Sequence, residues 1–279
     1  MDRNERRRLT KEVGLEALYR IFKFAAGSEF LHFGLFEPDI PADFQHIREA
    51  QERYLERLIE VIPPTVKSVL DVGAGAGRSA EILIERGFAV DCVVPPGGLA
   101  DIAAERLKGR STIYRGRFEE VEIPQHYDLV LFSESLQYIA PDIALRKALS
   151  LLRPGGHILI SDFFRRVREE VGGGHLHADW EKCWRSMPLD CVHEHDITAE
   201  AAPTIDIVNA FNREVGRPLA EAAGVAAKAR WPVLSRLGYF LFRRDIDRLF
   251  ERGFADYRTG AAFRHGKIYK TYLFRHMWA

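Results

Sequence analysis

A chain of 279 residues, 47% of them hydrophobic and 11% aromatic, can bury the core of one large domain with appendages. Forty basic residues balance forty acidic ones, so no global field favours nucleic acid, and no stretch approaches the roughly 20 apolar residues of a stable membrane insertion. The opening MDRNERRRLTKE mixes both charge signs and leads into no long apolar run, and Cys92, Cys183 and Cys191 are too few and too irregularly spaced for a disulfide framework, so the cytoplasm is the expected compartment.

Residues 10–26 and 43–62 read as helices. In the second, Ala50, Tyr54, Leu55, Leu58, Ile59 and Ile62 recur at helical spacing and so share one apolar face, and Pro63-Pro64 ends it. Between the two, SEFLHFGLFEPDIPADF crowds Phe30, Phe33, Phe36 and Phe44 into a segment that Gly34, Pro38 and Pro41 keep irregular; it reads either as an arm packed on the core or as a flap over a ligand. From Val66 onward short apolar runs alternate with helical stretches, giving strands near 68–72, 89–94, 112–114, 128–132 and 157–162 and helices near 78–86, 97–107 and 142–152. That alternation predicts a parallel sheet covered on both faces. Arg153-Pro154-Gly155-Gly156 places a cation at a helix end and then a turn. Further on, GGGHLHADWEKC reads as a glycine-led loop, CVHEHDIT as a strand, residues 205–252 as at least two helices with apolar positions such as Ile246, Leu249 and Phe250, and KIYKTYLFRH as a closing strand.

The stretch SVLDVGAGAGRSAEILIERG carries most of the functional information. A strand runs into Gly73-Ala74-Gly75-Ala76-Gly77 and then a helix, so a ligand can lie against main chain, next to unpaired N–H groups and a partial positive charge. A phosphate-cradling loop of the P-loop kind needs Lys and then Ser or Thr after its glycines, whereas Arg78-Ser79 follows here with the wrong spacing. A dinucleotide fingerprint begun at Gly73 meets Arg78 in place of the third glycine; begun at Gly75 it meets Ala80, which is tolerated. Asp71 separates these readings: its carboxylate would repel a pyrophosphate but attract an ammonium, so an amino-acid moiety fits better, its carboxylate meeting the N–H groups of the loop.

VLDVGAGAG resembles the first motif of the class I S-adenosylmethionine-dependent methyltransferases, YDLVLFSESLQYI (127–139) is similar to that family's fourth strand, and LLRPGGHILISDFF (151–164) to its turn into the fifth. The resemblance implies an α/β, Rossmann-like class I methyltransferase sheet of seven strands, the last antiparallel, with N-terminal helices and a helical insertion before the last strand. The implied domains are an N-terminal helical cap or flap at 1–62, the S-adenosylmethionine-binding core at 63–204, a helical insertion on the acceptor side at 205–254, and a strand at 255–279 that completes the sheet. Carried over residue by residue, the resemblance assigns Asp71, Gly73, Ala74 and Gly75 to the methionine end of S-adenosyl-L-methionine, Phe118 and Glu119 to the adenine, the Ser133 carbonyl to the ammonium, and the loop from Pro95 to Gly98 to the ribose. Ser133 or Ser135 acting as a cap for the next helix, and Phe118 as a core residue, stay open as alternatives. One departure stands out: the family's second strand ends in an acid that binds the ribose hydroxyls, and that slot falls here at Val93 or Val94, with Asp91 too early in the strand.

Methyl transfer from a sulfonium is an in-line displacement, so holding the nucleophile about 3 to 3.5 Å from the methyl carbon does much of the work. A base is needed only when the acceptor must lose a proton, and His175 and His177, after the fifth strand, are candidates together with Glu134; Tyr138 could also face the acceptor. HLHAD and CVHEHD admit a zinc reading, with His193 and His195 on one strand face, but nothing in the sequence brings the two pairs together, and no metal is expected. Arg6-Arg7-Arg8, Arg165-Arg166 and Arg243-Arg244 read as solvated faces, while the phenylalanines of 22–44 with Trp231, Tyr239, Phe240 and Phe242 suit either a partly apolar acceptor pocket or ordinary core. The expectation is a methyltransferase for a small, partly apolar acceptor methylated on oxygen, nitrogen or carbon, of the lipid or secondary-metabolite type, with homodimerisation left open. The alternatives are an NAD(P)-dependent oxidoreductase and a catalytically silent binding protein of the same fold.

Overall fold

The runs of β-branched and aliphatic residues after Val66 form one seven-stranded sheet, in the order β3-β2-β1-β4-β5-β7-β6. The structure, a computed structural model, describes residues 3–170, 172–231 and 259–277. Strands β1 (Ser68–Val72), β2 (Ala89–Val94), β3 (Ile113–Arg115), β4 (Tyr127–Ser133) and β5 (Leu152–Arg165) are parallel. β7 (Lys267–His276) runs antiparallel between β5 and β6 (Leu189–Asp196). The antiparallel closing strand expected from KIYKTYLFRH therefore holds, residue for residue.

Side-chain alternation splits the core into two layers. In β4, Val130 and Phe132 join Leu70, Val72, Ile158 and Ile160 on one face, while Leu129 and Leu131 join Val69 and Leu159 on the other. The first layer is covered by α5 (Pro141–Ser150) and α6 (His177–Arg185), the second by α2 (Ile47–Val61), α3 (Arg78–Glu85) and α4 (Gly98–Leu107). Central strands buried on both sides read as continuous apolar runs, which is why SVLDV and YDLVLFS were legible as strands. α2 turns Ala50, Tyr54, Leu55 and Leu58 inward, and its chain goes extended at Ile62, just before the two prolines.

Three local expectations need correction. GGGHLHADWEKC is a loop only through Leu176, because α6 begins at His177 and buries Trp180 and Trp184 one turn apart. β5 starts at Leu152 rather than near 157, since Tyr127 already pairs with Leu152, and it continues to Arg165 because β7 offers partners as far as Lys267. The first helix, α1, spans Arg3–Ala26 and starts earlier than its apolar pattern suggests. Among the described residues the helices after β6 are α7 (Thr198–Ala201), α8 (Pro203–Phe211), a π-helical turn at Asn212–Gly216 and α9 (Arg217–Arg230); α10 (Gly260–Gly266) precedes β7. Tyr239, Phe240, Phe242, Arg243-Arg244, Ile246, Leu249 and Phe250 lie outside the described residues.

The irregular stretch between α1 and α2 is packed, not loose. Phe33 meets the rings of Phe163, Phe263 and Tyr269, and Gly34 passes so close to α2 that a Cβ there would lie 2.7 Å from the Cβ of Ala50. The Gly34 N–H donates to Thr204 Oγ1 at 3.0 Å, which fastens the arm to α8.

Candidate active site

Strand order reverses between β1 and β4, and in a sheet of this kind ligands bind outside the carboxyl ends of the strands at that point. A cavity of about 370 Å³ opens there, within the range of small-molecule sites. Its floor is the glycine turn. Gly73 has φ +83°, and a Cβ on it would sit 2.5 Å from the Cβ of Ser135, so both conformation and space require glycine. The Gly73 N–H is tied to the Val93 carbonyl at 2.8 Å, which fixes the turn against β2.

Asp71 lines this cavity from β1, between Cys92 and Leu131 of the neighbouring strands. It is 2% exposed, and its Oδ2 meets no hydrogen-bond donor among the described residues. Burial pushes its carboxyl up to about 7. A buried carboxylate without a partner is unfavourable, and such groups are kept where a ligand completes them.

A sequence model of the methyltransferase domain family matches residues 44–252. The chain belongs to this family. An uncharacterized methyltransferase of Geobacillus kaustophilus is 33% identical over 105 residues, which is 36% of this chain and 49% of that relative; the chain thus spans about half the length of the curated relative it matches. Among solved structures, StiE O-MT residues 942–1257 superposes with a TM-score of 0.65 at 20% identity, covering 89% of this chain and 87% of that one. The geranyl diphosphate C-methyltransferase of Streptomyces coelicolor A3(2), in complex with Mg2+, geranyl-S-thiolodiphosphate and S-adenosyl-L-homocysteine, superposes with a TM-score of 0.65 at 12% identity, covering 92% and 91%. At such identities the likeness is one of fold: the class I, Rossmann-like methyltransferase sheet.

Of the residues singled out from the sequence, the fold brings Asp71, Gly73, Ala74, Gly75, Pro95, Ser133 and Glu134 together around the cavity. Neither serine after β4 caps the short 3-10 turn at Leu136–Tyr138: Ser133 Oγ lies 3.0 Å from the Tyr54 hydroxyl, and Ser135 fills the notch above Gly73. Phe118 and Glu119 are placed elsewhere. Phe118 is core, packed edge-on against Phe132 under the Lys147 ammonium, and Glu119 pairs with Arg117 at 3.2 Å.

His175 and His177 also lie off the cavity wall. His175 Nε2 is 3.0 Å from the Leu136 carbonyl, and His177 Nε2 is 2.9 Å from the Tyr272 hydroxyl, beside the ring of Phe164. His175 thus ties the loop to the 3-10 turn at Leu136, and His177 ties α6 to β7. His193 and His195 do share a stretch of β6, with ring centroids 6.3 Å apart, but they line a different, smaller cavity with Tyr54 and Arg57. Among the described residues no three His, Cys, Asp or Glu side chains converge as metal ligands would.

Glu134 is the base candidate that reaches the cavity. It occupies a left-handed backbone position, φ +54°, at the end of β4, and its Oε1 accepts the Phe33 N–H at 2.6 Å and the Tyr269 hydroxyl at 2.7 Å. Desolvation pushes its carboxyl up to about 8, against those two hydrogen bonds and with help from the negative charge of Asp162. His32, which sequence reasoning passed over, stands on the same wall. It is stacked on Tyr54 at 4.4 Å, its Nδ1 is 2.8 Å from the Phe33 carbonyl, and its buried Nε2 meets no partner among the described residues. With Nδ1 as the donor, Nε2 presents a lone pair, and burial lowers the ring to about 4, so it stays neutral. Its signal lay in LHFGLF, where a histidine sits inside an apolar arm.

Proposed function

We propose that the protein binds S-adenosyl-L-methionine in this cavity and methylates a small, partly apolar acceptor. The observation that carries the reading is Asp71: a buried carboxylate whose Oδ2 has no partner among the described residues, beside a bare glycine turn, suits an ammonium with a neighbouring carboxylate, and would repel a pyrophosphate. The residues present fit the group, since Asp71 would take its ammonium, the N–H of Gly75 in the turn its carboxylate, and Val94 to Gly98 its nucleoside, while the Gly73 and Ala74 N–H groups stay on the Val93 carbonyl. When bound, the cofactor supplies a methyl group on a positively charged sulfur whose departure leaves a neutral thioether.

What remains for the protein is positioning and proton removal. Phe30 and Leu31 give the arm side of the cavity an apolar wall, while His32 Nε2 and the Glu134 carboxylate offer two acceptors to a hydroxyl or an acidic carbon. An acceptor hydroxyl donating to Glu134 loses its proton to that carboxylate as the new bond to carbon forms, and a carboxyl titrating near 8 is well matched to that task at neutral pH. The deprotonated form is steadied by the Tyr269 hydroxyl and the Phe33 N–H already pointed at it. An acceptor that attacks without losing a proton needs only the positioning.

Calorimetry of the full chain with S-adenosylmethionine, S-adenosylhomocysteine and NAD tests the cofactor. Binding of the first two, abolished or strongly weakened by Asp71→Asn, supports the reading; binding of NAD alone overturns it.

A further inference from the structure

The nucleoside end of the cavity poses a chemical problem. A ribose buries two vicinal hydroxyls that need acceptors, and in folds of this class an acidic side chain commonly supplies them. Val94, Pro95, Pro96, Gly97, Gly98 and Leu99 form that end, and none of their side chains accepts a hydrogen bond. Asp91 is engaged elsewhere, accepting the Thr112 N–H at 2.8 Å and the Tyr127 hydroxyl at 2.8 Å.

A carboxylate reaches the place from another part of the chain. Glu16 of α1 lines the cavity and lies flat against Gly98: a Cβ built on that glycine would be 2.2 Å from Glu16 Oε2, 2.4 Å from Cδ and 2.6 Å from Oε1. No side chain larger than hydrogen leaves room for it there. Arg20, one turn on, donates to Oε1 through Nε at 3.0 Å and Nη2 at 2.7 Å, which orients the carboxylate, and Oε2 is the atom nearest Gly98. Asp71, whose Oδ2 has no partner among the described residues, lines the same cavity beside the glycine turn.

We propose that Glu16, delivered from α1 onto Gly98, is the residue that binds the ribose hydroxyls of the donor, taking over a function that the end of β2 has no side chain to perform. The assignment rests on the cofactor reading above. It makes α1 part of the cofactor site. The competing role for Glu16 is a charge set at the start of α4, whose first turn has no side-chain cap; such a charge would act on the fold and not on the ribose.

The test is binding of S-adenosylhomocysteine and of its 2′,3′-dideoxy counterpart, by calorimetry, to the full chain and to Glu16→Ala, with thermal melts as a control for folding. Expected is a loss of about 10- to 100-fold in S-adenosylhomocysteine affinity in the variant, as for a charge-assisted hydrogen-bond pair, while the dideoxy compound changes less than about twofold. Gly98→Ala, which displaces the carboxylate without removing it, should reproduce the effect, and Val94→Asp on the Glu16→Ala background should restore part of the discrimination. Equal affinity of the parent and Glu16→Ala for S-adenosylhomocysteine, or an equal loss for both ligands, overturns the assignment and leaves the cofactor reading intact. Failure of the parent itself to bind S-adenosylhomocysteine removes both.

Discussion

Glu134 Oε1 accepts the main-chain N–H of Phe33 at 2.6 Å, so one carboxylate facing the cavity also pins the arm that forms its wall. If Glu134 is the base proposed above, chemistry and architecture share a side chain, and substitutions separate them. Glu134→Gln keeps an oxygen for the Phe33 N–H and the Tyr269 hydroxyl but is no base. We expect near-parental cofactor affinity and a fall of about 10²-fold or more in turnover of a hydroxyl acceptor. Glu134→Ala leaves both donors short of a partner and should lower stability by about 1–3 kcal/mol as well. Initial rates paired with thermal melts distinguish the two.

Asp71 gives cofactor binding a pH signature. Its carboxyl is held up at about 7 by burial, and an arriving ammonium favours the ionised form, so binding near pH 6.5 should release a proton and affinity should rise as pH climbs through 7. Calorimetry in two buffers of different ionisation enthalpy measures the proton directly, and Asp71→Asn should abolish it. For the ligand-free protein the sign is set by the raised value. Native Asp71 keeps a proton that the unfolded chain has lost above the usual 3.8, so this contribution to stability is complete below about pH 4 and disappears as pH rises through 7. Glu134, near 8, and Asp162, near 7, act in the same direction, and Asp71→Asn should melt higher than the parent at pH 8.

Gly73→Ala is expected to damage the site in two ways at once. A φ of +83° strains any L side chain, and the new methyl would lie 2.5 Å from Ser135 Cβ. Together these should lower stability by about 1–3 kcal/mol and abolish measurable cofactor binding. Adding Ser135→Gly relieves the collision but not the backbone strain, so the double variant should recover only part of the melting temperature.

Replacing His175 or His177 should leave cofactor affinity and turnover within about twofold, because both rings face protein partners and not the cavity. His177→Ala should cost about 1 kcal/mol through the lost contact with the Tyr272 hydroxyl. A tenfold drop in turnover at unchanged stability would return these histidines to the chemistry.

What was readable in the sequence was what adjacent residues decide together. The strands and the turn at Gly73–Gly75 rest on alternation, glycine spacing and one carboxylate, all confined to a few positions, while the antiparallel sense of the closing strand was implied only by the family resemblance. Phe118, His175 and His177 were misplaced relative to the cavity because the side of the sheet that a loop side chain reaches depends on packing against Phe132, Leu136 and Tyr272, far away along the chain. His32 and Glu16 were missed for the complementary reason: they enter from the arm and from α1, and nothing local in either segment records that Tyr54 or Gly98 will lie opposite. Trp180 and Trp184 did carry a local sign of α6, four residues apart, which the preceding glycines obscured.

The place of β7 has a consequence for how the molecule is made. Among the described residues β6 hydrogen-bonds to β7 alone, and β7 in turn covers the far edge of β5. Until residues 267–276 have left the ribosome, the long strand at 152–165 and the strand at 189–196 both lack the strand they pair with here. Assembly of this half of the sheet thus waits until β7 has been made. During that interval the nascent chain presents sticky, template-like edges of the kind chaperones shield.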